Sequence, residues 1–141
     1  MDIRCVVITA TGEGFCSGAD LKERKKGDEA ARWDYVGLVD RALLDIEKIA
    51  LPVIAAVNGH VLGGGTGLAL SCDIHITIKH ADFGLTETGI GIISTGSIVR
   101  LLRDGYDVLN SLLTYTASRF SVAQCSRWVS SNKWQMTCPN S

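Results

Sequence analysis

The sequence has no C-x-x-C pair, no block of like charge and no apolar run of the roughly 18 residues that a membrane span requires. Each absence removes a class of function. Five cysteines (Cys5, Cys16, Cys72, Cys125 and Cys138) among 141 residues are odd in number and irregular in spacing. Neither a disulfide framework nor a zinc site is indicated, so no metal and a reducing interior are expected. Fourteen Lys and Arg against fifteen Asp and Glu leave a formal charge of -1, which argues against a nucleic-acid partner. The start, Met1-Asp2-Ile3-Arg4, is not a basic segment followed by an apolar one, so a cytoplasmic protein with no membrane association is expected. What is there is ordinary: 46% hydrophobic and 21% charged residues, the composition of one globular domain with a real core.

Several catalytic and phosphate-binding signatures are missing as well. There is no G-x-x-x-x-G-K-[ST], and the candidate G-x-G-x-x-G register from Gly65 through Gly67 ends in Leu70. Ser17 and Ser94 lack the flanking glycines of a G-x-S-x-G nucleophile turn. A nucleotide-binding module and a serine hydrolase are both disfavoured.

The periodicities present suggest an α/β chain. Residues 5–10 (CVVITA) read as a strand buried on both faces, which favours parallel pairing. Over residues 28–50, Val36, Val39, Leu43, Ile46 and Ala50 recur at helical spacing, with Trp33 as an anchor to the core and Pro52 helping to end the helix. Residues 53–57 (VIAAV) read as a second buried strand, and residues 73–78 (DIHITI) alternate like a third.

Between these last two lies "NGHVLGGGTGLALSCD", with Gly59, Gly63, Gly64, Gly65 and Gly67 in close succession. Glycine permits positive φ and close approach to the backbone. At a helix start that approach exposes amide N–H groups suited to an anion or a developing oxyanion; the plainer alternative is tight strand–helix packing. A second turn, "FCSGADLKE", follows the first predicted strand just as the glycine stretch follows the second. Parallel α/β proteins place ligands at such carboxyl ends. Two backbone turns on neighbouring strands could direct two N–H donors at one oxygen.

Three segments, "FCSGADLKE", "PVIAAVNGHVLGGGTGLALSCD" and "ADFGLTETGIGII", together resemble the enoyl-CoA hydratase/isomerase family, the crotonase superfamily. The resemblance implies a spiral of ββα units (the ClpP/crotonase fold), assembly as homotrimers or hexamers, and an acyl-CoA thioester as substrate. Coenzyme A is then part of the substrate and no separate cofactor is expected. It implies that the thioester carbonyl is held by the amides of Ala19 and Gly64, and that Ser17, Asp20, Leu21 and Lys22 lie along the CoA moiety. Lys22 either faces a phosphate or is a solvated charge of the "LKERKK" run.

Glu87 matches one of two family glutamates and is the expected base, in an apolar wall expected from Phe83, Leu85 and Ile90. The other glutamate is absent: its position is Gly67. Hydration divides water activation and proton delivery between two carboxylates, whereas moving a double bond needs one to shuttle a proton. "GLTETGIGII" is also similar to the single-glutamate isomerase site, so the expectation leans to isomerisation, with hydration as the alternative. His60, His75 and His80 read as surface or packing residues, Asp73 as a pin for a strand start, and Cys16 and Cys72 as small buried hydrophobes.

Members of the family begin further upstream and continue into a C-terminal helical region. The expectation is therefore a partial core domain over residues 1–118 and the truncated start of the helical region over residues 119–141. Were an upstream segment to carry a transit peptide, the mitochondrial matrix would replace the cytoplasm. A non-catalytic remnant that associates with full-length relatives is the competing expectation.

Overall fold

The computed structural model describes residues 2–25 and 27–125, together with the backbone of a strand at Trp134–Met136. The strands come in pairs. β1 (Val6–Ile8) is followed by β2 (Gly14–Cys16), then by α1 (Leu21–Arg24) and α2 (Glu29–Glu47). The next unit has β3 (Val53–Val57), β4 (His60–Leu62) and α3 (Gly64–Leu70). A third has β5 (Ile74–Thr77), β6 (Asp82–Gly84), a 3-10 turn (Thr86–Ile90), α4 (Thr95–Arg103) and α5 (Asp107–Thr116). β7 (Arg119–Ser121), α6 (Val122–Cys125) and β8 (Trp134–Met136) follow.

Each unit gives its first strand to one sheet and its second to another. The first sheet runs β1-β3-β5-β8, all parallel; the second runs β2-β4-β6-β7, with β7 antiparallel. This is the expected spiral of ββα units. Phe15, Val53, Ala55, Val57, Val61, Ala69, Cys72, Ala81, Phe83 and Val122 form the core between the sheets. Leu70, Leu85, Leu101, Tyr106, Leu109 and Leu113 form a second core under α4 and α5.

Several expectations are corrected. β1 is not buried on both faces: it is the edge of its sheet, and Val7 is 55% exposed. β5 alternates as expected but with its polar side inward. His75 and Thr77 are buried while Ile74 is 39% exposed, and His75 Nε2 lies 2.7 Å from the Ala69 carbonyl, which gives the ring a partner inside. Trp33 is 69% exposed rather than a core anchor, because residues 29–34 of α2 are exposed throughout. Ala50 is likewise exposed, since the helix ends at Glu47. From residue 119 onward the described residues hold β7, which joins the second sheet, the short helix α6, and β8, which joins the first. Residues 126–133 and 137–141 of the expected helical start lie outside the described residues.

Asp73 pins a strand start as expected: its Oδ2 accepts from the Val53 N–H at 2.8 Å, while its own N–H donates to the Val53 carbonyl at 2.9 Å. α2 is tied to α4 by a carboxylate. Arg100 donates to Glu47 Oε1 at 2.6 Å and Arg103 to Oε2 at 3.0 Å. Burial opposes ionisation of Glu47, but the hydrogen bonds and charges of Arg103 and Arg100 prevail and hold its carboxyl below the usual range.

A carboxyl whose folded pKa is depressed stabilises the fold above its unfolded pKa and loses that contribution as pH falls through the folded value. Glu47→Gln is expected to cost about 2 kcal/mol near neutral pH, since it leaves Arg100 buried with a weaker partner. Urea unfolding at pH 7 and below pH 4 checks this, and the difference between variant and parent should shrink in acid.

Candidate active site

Both glycine turns leave strands of the second sheet, and neither of those strands was expected. "FCSG" overlaps and follows β2, and "GGG" follows β4, which pairs with it in parallel. The expected pair of turns on neighbouring strand ends is therefore present, displaced from β1 and β3 to β2 and β4. Three-residue strands carry too little periodicity to be read from sequence.

The two turns meet backbone to backbone. Gly18 has φ +91, and a Cβ built on it would lie 2.9 Å from the Gly64 nitrogen and 3.0 Å from the Leu62 carbonyl oxygen. A Cβ built on Gly64 would lie 3.8 Å from the Ala19 nitrogen. Among the described residues, no hydrogen bond satisfies the Ala19 or the Gly64 N–H. The packing alternative also has its share, since a Cβ on Gly65 would strike the Cys16 carbonyl oxygen at 2.2 Å.

Glu87 is brought to the same place. The Gly84 carbonyl at the end of β6 accepts from the Gly63 N–H at 2.8 Å and from Thr66 Oγ1 at 3.2 Å, which ties the start of α3 to the segment leading into the 3-10 turn. Gly63 caps α3 with φ 56 and ψ -125, and a Cβ on it would lie 2.7 Å from Glu87 Oε1. The carboxylate thus rests on a bare Cα. Glu87 Oε2 is buried with no hydrogen-bond partner.

A cavity of about 320 Å³ opens over these groups. It is a size suited to part of a small-molecule ligand. Of the residues expected in the site, Ser17, Ala19, Leu21, Gly64 and Glu87 line it; Asp20 and Lys22 do not. Asp20 instead caps α1, its Oδ1 accepting from the N–H groups of Lys22 at 2.8 Å and Glu23 at 3.3 Å. Lys22 is exposed. The apolar wall also differs from expectation. Phe83 and Leu85 are in the two cores, and Ile90 is joined in the cavity by Ile92, Ile93, Val36, Val39 and Leu43.

Much of this wall comes from α2, whose apolar stripe is visible in the sequence. Arg24, Tyr35, Asp40, Ser94 and Ser97 are among its polar lining, beyond the residues expected in the site. A Cβ on Gly67 would lie 2.9 Å from Ser97 Oγ and 3.1 Å from Leu43 Cδ1, so the space beside α3 is already filled. Among the described residues there is no cluster of three metal-ligating side chains, and no helix is long and apolar enough to cross a membrane.

Two of the thiols are held in their protonated form by burial. Burial, reinforced by the charge of Asp73, pushes the Cys72 thiol up to about 11, and burial pushes Cys125 up to about 12.

Comparison with known proteins places these features in a family. Residues 1–129 match the family model for enoyl-CoA hydratase/isomerase. YngF of Bacillus subtilis (strain 168), which carries the provisional name enoyl-CoA hydratase/isomerase, is 49% identical over 104 residues, 72% of this chain and 40% of that protein. The mitochondrial methylglutaconyl-CoA hydratase of Homo sapiens is 41% identical over 95 residues, 67% of this chain and 28% of that protein. The crystal structure of an enoyl-CoA hydratase from Bacillus anthracis superposes with a TM-score of 0.83 at 37% identity, covering 96% of this chain and 52% of that one. An enoyl-CoA hydratase structure from Mycobacterium smegmatis gives a TM-score of 0.87 at 26% identity, with the same two coverages, 96% and 52%. The chain thus spans less than half of these curated relatives and about half of the solved structures.

Two predictions follow from the geometry of the site. Gly63→Ala is expected to destabilise the protein by about 1–3 kcal/mol, because its backbone lies where only glycine is unstrained and its Cβ would displace Glu87; thermal unfolding checks it. In a native-state thiol-labelling time course at pH 8, the exposed Cys5 should react well before Cys72 and Cys125.

Proposed function

The chain belongs to the enoyl-CoA hydratase/isomerase family, and we propose that the cavity at the ends of β2 and β4 binds an acyl-CoA thioester and processes it through an enolate. One observation carries the reading. Glu87 holds an unpartnered carboxylate oxygen against Gly63, and the next amide in the chain, that of Gly64, lies beside the amide of Ala19.

The α-proton of a thioester is weakly acidic and is removed readily only if the oxygen that gains charge is stabilised as it does so. In this reading the Ala19 and Gly64 N–H groups donate to that oxygen. Removing one such donor typically costs about 10²–10³-fold in rate. Glu87 takes the proton from C2 of a 3-enoyl thioester as the C3–C4 double bond shifts to C2–C3, and returns it to C4. The proton count closes with one carboxylate. Gly67 contributes no second carboxylate from α3, and this supports the lean toward isomerisation. Ser17 and Leu21 at the cavity wall are assigned to the CoA moiety.

Hydration is the second reading, favoured by relatives such as the human methylglutaconyl-CoA hydratase. Assembly as a trimer or hexamer belongs to the same proposal, and it would give exposed apolar residues such as Trp33 and Leu38 a surface to cover. Some relatives are mitochondrial and others bacterial, so either a cytoplasmic or a mitochondrial location fits.

The test uses the full chain. With 3-hexenoyl-CoA, isomerisation should be measurable, and with butyryl-CoA in D₂O the α-proton should exchange. Glu87→Gln is expected to lower both rates by about 10²–10⁴-fold, with the Kd for butyryl-CoA changed by no more than a few-fold. Binding and turnover both absent from the parent chain would support the non-catalytic remnant instead.

A further inference from the structure

The cavity holds a second carboxylate that a one-glutamate mechanism leaves unused. Asp40, on α2, lines the same cavity as Glu87. A Cβ built on Gly96 would lie 2.5 Å from Asp40 Oδ1. The carboxylate therefore rests on the bare Cα of Gly96, much as Glu87 rests on that of Gly63. Ser97 joins the two places: it follows Gly96 in the chain, and its hydroxyl approaches the Gly63 carbonyl oxygen at 3.5 Å.

Asp40 has no hydrogen bond or ion pair among the described residues. Arg100 is close, its Nη1 lying 3.3 Å from the same built Cβ, but its Nε donates to Glu47 Oε1 at 2.6 Å and its Nη1 to the Gly96 carbonyl at 2.9 Å. A partly buried carboxylate is stabilised by a donor, and water can supply one here. Asp40 also faces the other way. With Leu44, Thr95, Gly96, Val99 and Arg100 it lines an adjoining groove of about 220 Å³, which gives water a second approach to its carboxylate.

We propose that Asp40 is the base that activates water for addition to a 2-enoyl thioester, supplying from α2 the second carboxylate that α3 lacks at Gly67. This inference rests on the enolate reading above. Asp40 accepts a proton from water as the water oxygen bonds to C3. The C2–C3 π pair moves toward C2 and the thioester oxygen, which the Ala19 and Gly64 amides receive. Protonated Glu87 then gives its proton to C2. One water is added across the double bond, Asp40 has gained a proton and Glu87 has lost one, and exchange with solvent resets both.

The experiment compares two rates on each full-length variant: hydration of 2-butenoyl-CoA and α-exchange of butyryl-CoA in D₂O, the second of which needs no attacking water. The ratio of hydration to exchange is expected to fall at least about 100-fold in Asp40→Asn and to recover in part in Asp40→Glu. An unchanged ratio in Asp40→Asn overturns the assignment, as does a parent chain that exchanges the α-proton but does not hydrate. A parent chain that does neither overturns the enolate reading itself. Asp40→Ala, assayed the same way, guards against a local effect of the Asn amide.

Discussion

Two main-chain segments touch with no side chain between them, and the site is built outward from that contact. Gly18 can lie against Leu62 and Gly64 only because it carries no Cβ, whereas a Cβ on Gly64 would meet the Gly18 Cα at an ordinary 3.7 Å. The parallel pairing of β2 with β4 brings the turns together, and the unpaired amides of Ala19 and Gly64 are the residue of that fit. Amides held by backbone packing need no side-chain reorganisation to meet a developing charge, which is the condition under which such donors contribute most.

The same device recurs for the acidic groups. Gly63 and Gly96 each leave open the volume in which a carboxylate lies, and in both cases a bulkier residue would collide with an oxygen at under 3 Å. Gly67 differs. Its missing side chain does not open the cavity, because Ser97 and Leu43 already occupy the volume its Cβ would enter. A glycine can therefore mark a cradle or a substitution that neighbours have closed over, and only the surrounding atoms distinguish the two.

Much of this was legible beforehand because it depends on local chemistry. β3, α2, the helix start at Gly64 and the grouping of Ala19, Gly64 and Glu87 follow from apolar periodicity, from glycine's tolerance of close contacts and from a family-like order of motifs. β2 and β4 were not legible, since three residues give a period of two too few repeats. The inward polar face of β5 was hidden because His75 finds its partner in Ala69, a residue of the preceding helix. Asp20 was read toward the ligand, yet the same side chain that suits a ligand also suits a helix N-terminus. Asp40 carries no such signal in the sequence, because a charge on an amphipathic helix normally marks the solvent side, and on α2 part of that side looks into a cavity.

The spiral arrangement has a further consequence. Each ββα unit stacks on its neighbours, as in a solenoid, so stability is distributed among unit interfaces rather than held by one centre. Ala19 comes from the first unit, Gly64 from the second and Glu87 from the third. No unit contains the proposed site, whose three groups stay together only while consecutive units remain docked. Separation of the first unit from the second would take the Ala19 amide away from Gly64 and Glu87 while the other two units stayed folded. A grouping assembled across units in this way can be lost before cooperative unfolding is detected.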